Sequence, residues 1–209
     1  MQIISHRGYW KSSGEKNGKA AFERSFSLGF GTETDLRDRN SEIVISHDMA
    51  DGSAISLDGL FSIFSRYDSA LLLALNIKAD GLQQKLKAAL QQFGIKNYFV
   101  FDMSVPDTIG YMDAGINFFS RQSEYEPQPA FYSQCKGIWL DCFKDIWYTD
   151  ELIRNHLDSN KQVAVVSPEL HKRNHLSLWL QLKENKLYRS DKLILCTDIP
   201  EQAAGFFKD

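Results

Sequence analysis

Two acids set two residues apart, Glu33 and Asp35, stand between two histidines, His6 and His47, near the start of the chain. On a strand, residues two apart share a face, so both carboxylates point the same way. Carboxylates that close repel each other, and one keeps a proton unless a cation lies between them. A hard, oxygen-seeking ion such as Mg2+ or Ca2+ relieves the conflict. Two histidines on opposite sides of a phosphodiester can divide the proton transfers, one as base and one as acid. Arg7 adds a planar fork suited to phosphate oxygens, and Gly8 lets the backbone pass close to a ligand. These parts suit metal-assisted cleavage of a phosphodiester.

Such groups need a scaffold that brings strand ends together. Short apolar, β-rich runs recur at Gln2–Ser5, Thr32–Leu36, Leu71–Ile77, Tyr98–Phe101, Asn117–Ser120, Gly137–Leu140, Gln162–Val166 and Lys192–Cys196. Several are nearly continuous in apolar residues, as expected of parallel strands covered on both faces. Helical patterns fall between most of them. Ala20 to Leu28 present an apolar face ended by Gly29, and Leu82, Leu86, Ala89, Leu90 and Phe93 form a stripe before Gly94. Asp150–Leu157, capped by Thr149 or Asp150, and Leu176–Glu184 read similarly. Ile43–Ser46, after Asn40-Ser41, extends the second strand as a hairpin and delivers His47-Asp48. Arg121–Lys136, with Pro127 and Pro129, reads as a loop with at most a turn of helix.

Eight strands alternating with helices predict an α/β fold, a compact (β/α)8 TIM barrel in a single domain over residues 1–209. The length is short for that fold, so one or more helices must be short or missing. Catalytic groups in such barrels sit at the carboxyl ends of strands. Those ends read, in order, His6 and Arg7, Glu33 and Asp35, Asn76 and Lys78, then Asp102, Arg121, Asp141, Glu169 and Asp198. Asp102 and Asp198 read as helix caps. Arg121, Asp141 and Glu169 are candidate substrate or metal contacts.

Bulk properties narrow the field. A net charge of -3 with no long Lys/Arg run excludes an electrostatic case for nucleic acid. The longest apolar run, Ala70–Leu75, is too short to span a bilayer. No leader-like segment precedes the first strand, so a cytoplasmic location is expected. Cys135, Cys142 and Cys196 are odd in number and lack metal-type spacing, which predicts buried reduced thiols.

The order and spacing of these residues resemble the glycerophosphodiester phosphodiesterase family, within the phosphatidylinositol-specific phospholipase C-like superfamily. Ser5-His6-Arg7-Gly8 is similar to its His-Arg-Gly opening. Glu15-Lys16-Asn17 with Ala21-Phe22 resembles its first helix region, with Gly18 in place of a hydroxyl residue. Gly31–Asp35 resembles its Glu-x-Asp segment, Ile45–Asp48 its second histidine, and Leu193–Pro200 its final strand and Thr-Asp-x-Pro turn. The resemblance implies a metal-dependent phosphoric diester hydrolase, with a small glycerophosphodiester-like or sugar-linked phosphodiester as partner. It implies His6 and His47 as acid and base, Arg7 and Lys78 on the phosphate, and Glu33 and Asp35 on Mg2+ or Ca2+. One departure bears on the metal. The family has Glu-x-Lys on the third strand, whereas this chain has Asn76-Ile77-Lys78, so the third ligand is expected to be a neutral carbonyl. Two other readings stay open: a phosphodiester- or phosphate-binding barrel with weakened catalysis, and a lyase that stops at a cyclic phosphate. Tyr9, Trp10, Trp139, Trp147 and Tyr148 could face a headgroup, although aromatics near barrel strands usually pack in the core.

Overall fold

The computed structural model describes residues 1–208. Its strands are β1 (Gln2–His6), β2 (Gly31–Arg39), β3 (Glu42–Ile45), β4 (Leu73–Ile77), β5 (Tyr98–Phe101), β6 (Phe119–Gln122), β7 (Gly137–Leu140), β8 (Gln162–Val166) and β9 (Leu193–Thr197). Helices are α1 (Lys19–Ser27), α2 (Leu57–Phe64), α3 (Gln83–Gln92), α4 (Val105–Asp113), α5 (Asp150–Asp158), α6 (Leu176–Glu184) and α7 (Pro200–Phe206). The hydrogen-bonded strand order is β5-β4-β2-β1-β9-β8-β7-β6, with β3 paired to β2 outside that path. A parallel bridge from Val100 to Phe118, just ahead of β6, nearly closes the circuit. This is a TIM-barrel-type α/β fold. Among the described residues no helix separates β6 from β7.

That gap is the segment expected to be a loop, and its two prolines account for it. Each lacks a backbone N–H and fixes φ, which opposes a continuous helix. The hairpin also forms as its sequence directs. Asn40 and Ser41 take φ of 50° and 65°, and Arg39 pairs with Glu42, which makes a two-residue turn of the kind that matches strand twist. All eight expected barrel strands are present. Three of them keep their expected bounds, and the edges of the rest move by one to three residues, because ends such as His6, Arg39 and Thr197 are polar and leave no apolar signal.

Three helices beyond those expected extend the alternation. Helix α2 buries Leu57, Leu60, Phe61 and Phe64 and is capped by Ser56, which accepts from the Gly59 N–H. Helix α4 starts at Ser104, whose side chain accepts from the Asp107 N–H. Asp102 is therefore not the cap of α4; it sits two residues earlier with φ of 67°. Helix α7 opens on Pro200 with Ile199 at the cap position, so Asp198 lies one residue ahead of the cap. Pro at the first helical position already removes one N–H that a cap would satisfy. As expected, Thr149 caps α5 by accepting from the Leu152 N–H, and all three cysteines are buried, with no disulfide among the described residues.

The chain resolves into two compact units: residues 1–4 with the chain from Phe119 onward, and residues 5–118. Strands β2 and β4 form the centre of the second, with Ala74, Leu75, Phe22 and Phe61 fully buried around them. No described helix is long and apolar enough to cross a membrane.

Candidate active site

The unit 5–118 brings His6, Arg7, Glu33, Asp35, Asn76 and Lys78 together through β1, β2 and β4. Pairing of β2 with β4 sets Asp35 opposite Asn76 and Leu36 opposite Ile77. After β1 the backbone turns sharply, with Arg7 at φ 58° and Gly8 at φ 77°. Arg7 is held there by its own N–H, which donates to the Glu33 carbonyl at 2.9 Å and to Glu33 Oε2 at 3.2 Å. The Gly8 N–H donates to Thr32 Oγ1 at 2.9 Å, and a Cβ at Gly8 would lie 2.7 Å from that of Ala21. Glycine is required at this position on both counts. Beneath the turn, the buried hydroxyls of Ser5, Ser25 and Thr32 interlock at 2.7 and 3.0 Å.

Glu33 and Asp35 are 2% and 0% exposed, so neither is a solvated strand end. Asp35 is compensated from two sides. Arg7 Nε lies 2.9 Å from Oδ2, and Lys78 Nζ lies 3.4 Å from Oδ1. Asn17 Nδ2 donates to Asp35 Oδ2 at 2.8 Å, while Asn17 Oδ1 accepts from Thr34 Oγ1 at 2.9 Å. Glu33 is compensated less. Burial, and next the charge of Asp35, push its carboxyl up to about 8, although Arg7, Lys78 and a hydrogen bond from Asn76 pull the other way. His6 Nε2 stands 3.9 Å from Glu33 Oε2.

His47 follows the hairpin. The Ser46 N–H donates to the Asp35 carbonyl at 3.0 Å, which ties the end of β3 to the carboxylate strand. The His47 ring is 43% exposed, against 13% for His6, so only the first is freely wetted. Its Nδ1 lies 2.9 Å from Asp48 Oδ1. That hydrogen bond, first, holds the Asp48 carboxyl below its usual range. An ionised Asp48 can only accept, so Nδ1 carries the proton and Nε2 is left for other partners. A cavity of about 400 Å3 opens here, lined in part by Arg7, Asn17, His47, Lys16, Ser13 and Asp51.

Two buried oxygens in this cluster, Asp35 Oδ1 and Asn76 Oδ1, lack a hydrogen-bond partner. Among the described residues no group of three His, Cys, Asp or Glu side chains suits a metal. A third protein oxygen would therefore come from an amide. Glu33, Asp35 and Asn76 are an all-oxygen donor set with two acidic groups, which fits a hard divalent cation in chemistry if not in full charge.

The remaining candidates belong to the other unit and are engaged locally. Arg121 Nε lies 3.3 Å from Glu126 Oε2. Asp141 Oδ1 meets His171 Nε2 at 2.7 Å. Glu169 accepts from Ser167 Oγ, Thr197 Oγ1 and the Asp198 N–H. Trp139 and Tyr148 are core, both 4% exposed. Asn17 is the site residue that periodicity could not reveal. Its only signal was its place in the Glu15-Lys16-Asn17 run, and its role depends on a left-handed φ of 57°.

No family model and no curated protein matches this sequence. Solved structures do match its fold. A Galdieria sulphuraria protein assigned as a glycerophosphodiester phosphodiesterase aligns at TM-score 0.75 and 18% identity, over 98% of this chain and 96% of that one. The glycerophosphodiester phosphodiesterase of Agrobacterium tumefaciens aligns at 0.68 and 14%, over 98% and 99%. An Oleispira antarctica phosphodiesterase in complex with its product sn-glycerol-3-phosphate aligns at 0.70 and 15%, over 100% and 97%. The fold is thus the one these phosphodiesterases adopt, end to end. At such identities fold likeness does not carry function by itself.

Proposed function

We propose that this chain is a metal-assisted phosphodiesterase that hydrolyses a small glycerophosphodiester-like or sugar-linked phosphodiester. The observation that carries the reading is the buried Glu33–Asp35 pair on β2, set among Arg7, Lys78 and His6 where the neighbouring strands β1 and β4 end. A cavity that reaches Arg7 and His47 adds room for a small substrate beside it. Full-length fold likeness to a phosphodiesterase with bound sn-glycerol-3-phosphate agrees with that substrate class.

Each residue has a task that its surroundings permit. Glu33, Asp35 and the Asn76 carbonyl would hold a divalent ion, which when bound supplies positive charge to the phosphoryl oxygens. Arg7 and Lys78, which flank Asp35, turn their remaining donors to the phosphate, Arg7 as a fork and Lys78 as a point charge. Asn17 fixes the Asp35 carboxylate that both cations share. His6 and His47 divide the proton transfers, one taking the proton of the attacking hydroxyl and the other giving one to the leaving oxygen. Asp48 orients the His47 ring so that Nε2 is the transferring atom.

A second reading, a phosphate-binding barrel with weakened catalysis, draws on Asn76 and on the lack of a third acidic ligand among the described residues. One screen separates the two. Glycerophosphodiesters, sugar phosphodiesters and bis-p-nitrophenyl phosphate are incubated with Mg2+ or Ca2+, with and without chelator. Turnover that chelation abolishes supports the enzyme. Phosphate binding without turnover on any substrate supports the binding barrel, and undiminished turnover after exhaustive chelation removes the metal from the proposal. Phosphorus NMR of the products distinguishes hydrolysis from cyclisation.

A further inference from the structure

The loops after β6, β7 and β8 carry a second constellation. Asp141, just beyond β7, is 7% exposed, and its Oδ1 accepts from the Cys142 N–H at 2.8 Å as well as from His171 Nε2 at 2.7 Å. In the neutral ring the carboxylate therefore holds the proton of His171 on Nε2 and leaves Nδ1 as an acceptor. His171 is 24% exposed at its side chain, and Nδ1 has no hydrogen-bond partner among the described residues.

The loop that holds His171 is tied down. Glu169 accepts from Ser167 and Thr197 hydroxyls and from the Asp198 N–H at 3.2 Å. Trp179 Nε1 donates to Ser167 Oγ at 2.9 Å, and Arg173 donates to the Cys142 carbonyl. An imidazole held from behind by a buried carboxylate on a braced loop is preorganised for a ligand; packing alone would not require the open Nδ1.

Aromatic surface adjoins it. The Phe143 ring lies 5.1 Å from His171 and 6.0 Å from Tyr125, which is 60% exposed. The nearby cations are already engaged. Arg121 pairs with Glu126 and lies 5.7 Å from the Phe143 ring, and Lys144 Nζ lies 5.3 Å from the Tyr125 ring. Glu124 is taken up by the Phe143 and Lys144 N–H groups at 3.2 and 2.6 Å. One exposed ring beside a half-buried one, an oriented acceptor and compensated charges suit a neutral ligand with hydroxyls and a C–H face.

We infer that these three loops form a binding face for a neutral polyol or sugar, with His171 Nδ1 accepting a ligand hydroxyl and Tyr125 and Phe143 offering their rings. Every residue involved lies in the unit that includes β6 to β9, and binding there requires no phosphodiester cleavage.

The test is a direct titration of the whole protein, followed by NMR of the histidine ring nitrogens and the tyrosine ring signals. Glycerol, myo-inositol and methyl α-D-glucopyranoside are the probes, with inorganic phosphate as the charged comparison. At least one polyol is expected to give saturable shifts in both His171 and Tyr125. His171→Ala and the surface change Tyr125→Ala should each weaken binding about tenfold, the loss of one good contact. Asp141→Asn should move the His171 tautomer equilibrium away from Nε2–H and weaken binding similarly. No saturable shift with any polyol, equal saturation in the His171 and Tyr125 variants, or saturation by phosphate alone would each overturn the inference. Because Tyr125 is exposed, its variant remains informative even if His171→Ala fails to fold.

Discussion

Replacing Asn76 with Glu should convert a site with two acidic groups into one with three, and its consequences can be sized. Asn76 is the register partner of Asp35 on the adjacent strand, so their backbones are about 5 Å apart. A new carboxylate there meets the Glu33–Asp35 pair in a buried setting. At an effective dielectric near 20, two unit charges about 5 Å apart repel by roughly 3 kcal/mol. The metal-free variant should lose about that much stability, unless it takes up a proton. For a chain of 209 residues the loss corresponds to a fall in Tm of roughly 6–12 °C. A divalent ion relieves the same repulsion on binding. Roughly 3 kcal/mol of relief equals about a hundredfold tighter binding, and tenfold is the least expected after partial protonation.

A thermal-shift titration reads both effects at once, because stabilisation by a ligand follows its concentration relative to its Kd. The variant should start lower than wild type, respond at tenfold to a hundredfold less Mg2+ or Ca2+, and recover most of its Tm at saturation. Asn76→Ala serves as the control, and it should weaken the metal response. If Asn76→Glu shifts neither the metal-free Tm nor the metal midpoint, Asn76 lies outside the metal's reach. The third-ligand assignment then fails.

Other expectations follow from the same geometry. Glu33 holds a proton up to about pH 8 when folded but only to its ordinary 4.5 when unfolded, so the native state binds more protons between those values. Metal-free stability should therefore fall as pH rises across that window, by up to a few kcal/mol, and Glu33→Gln should flatten the Tm–pH curve. His6→Ala and His47→Ala should each lower turnover by about a hundredfold or more, with losses that do not add in the double variant. A p-nitrophenyl ester should rescue only the variant that lacks the acid, and rescue of both or neither would break the division of roles. Asn17→Ala removes the clamp on Asp35 Oδ2 at 2.8 Å and should lower turnover with little change in circular dichroism. Gly8→Ala should cost about 3 kcal/mol on chemical denaturation, since a Cβ meets Ala21 at 2.7 Å and φ is 77°.

The strand pattern was legible because strands buried on both faces write themselves as apolar runs. Leu73-Ala74-Leu75 and Val163-Ala164-Val165 could be read without any tertiary knowledge. Helices α2, α4 and α7 were less legible. Helix α2 packs five large apolar residues into a short span of eight, as a buried strand would, and α4 carries Pro106 and Gly110, which weaken any periodic signal. Asp102 and Asp198 fall short of the cap positions, which Ser104 and Ile199 hold, because sequence alone does not fix the helix start to the residue. At the candidate site, same-face geometry fixed the Glu33–Asp35 pair. The sequence could not disclose that Arg7 and Lys78 both rest on Asp35, because that depends on a left-handed Arg7 and on the β2–β4 register.

The uneven compensation of the two acids gives the site a direction. Asp35 has two cations and an amide on its oxygens, whereas Glu33 has the Arg7 N–H, the Asn76 amide and more distant charges. An incoming divalent ion therefore gains most from Glu33, and it must displace the proton that Glu33 holds near neutrality. Metal binding should then release a proton and strengthen as pH rises toward 8. The Tm gain on adding Mg2+ should be larger at pH 8 than at pH 6, opposite to the fall in stability of the metal-free protein over the same range. Glu33→Gln should abolish that pH dependence together with most of the gain. Equal gains at the two pH values in wild type would mean that the ion does not compete for Glu33, and the ligand set would have to be drawn without it.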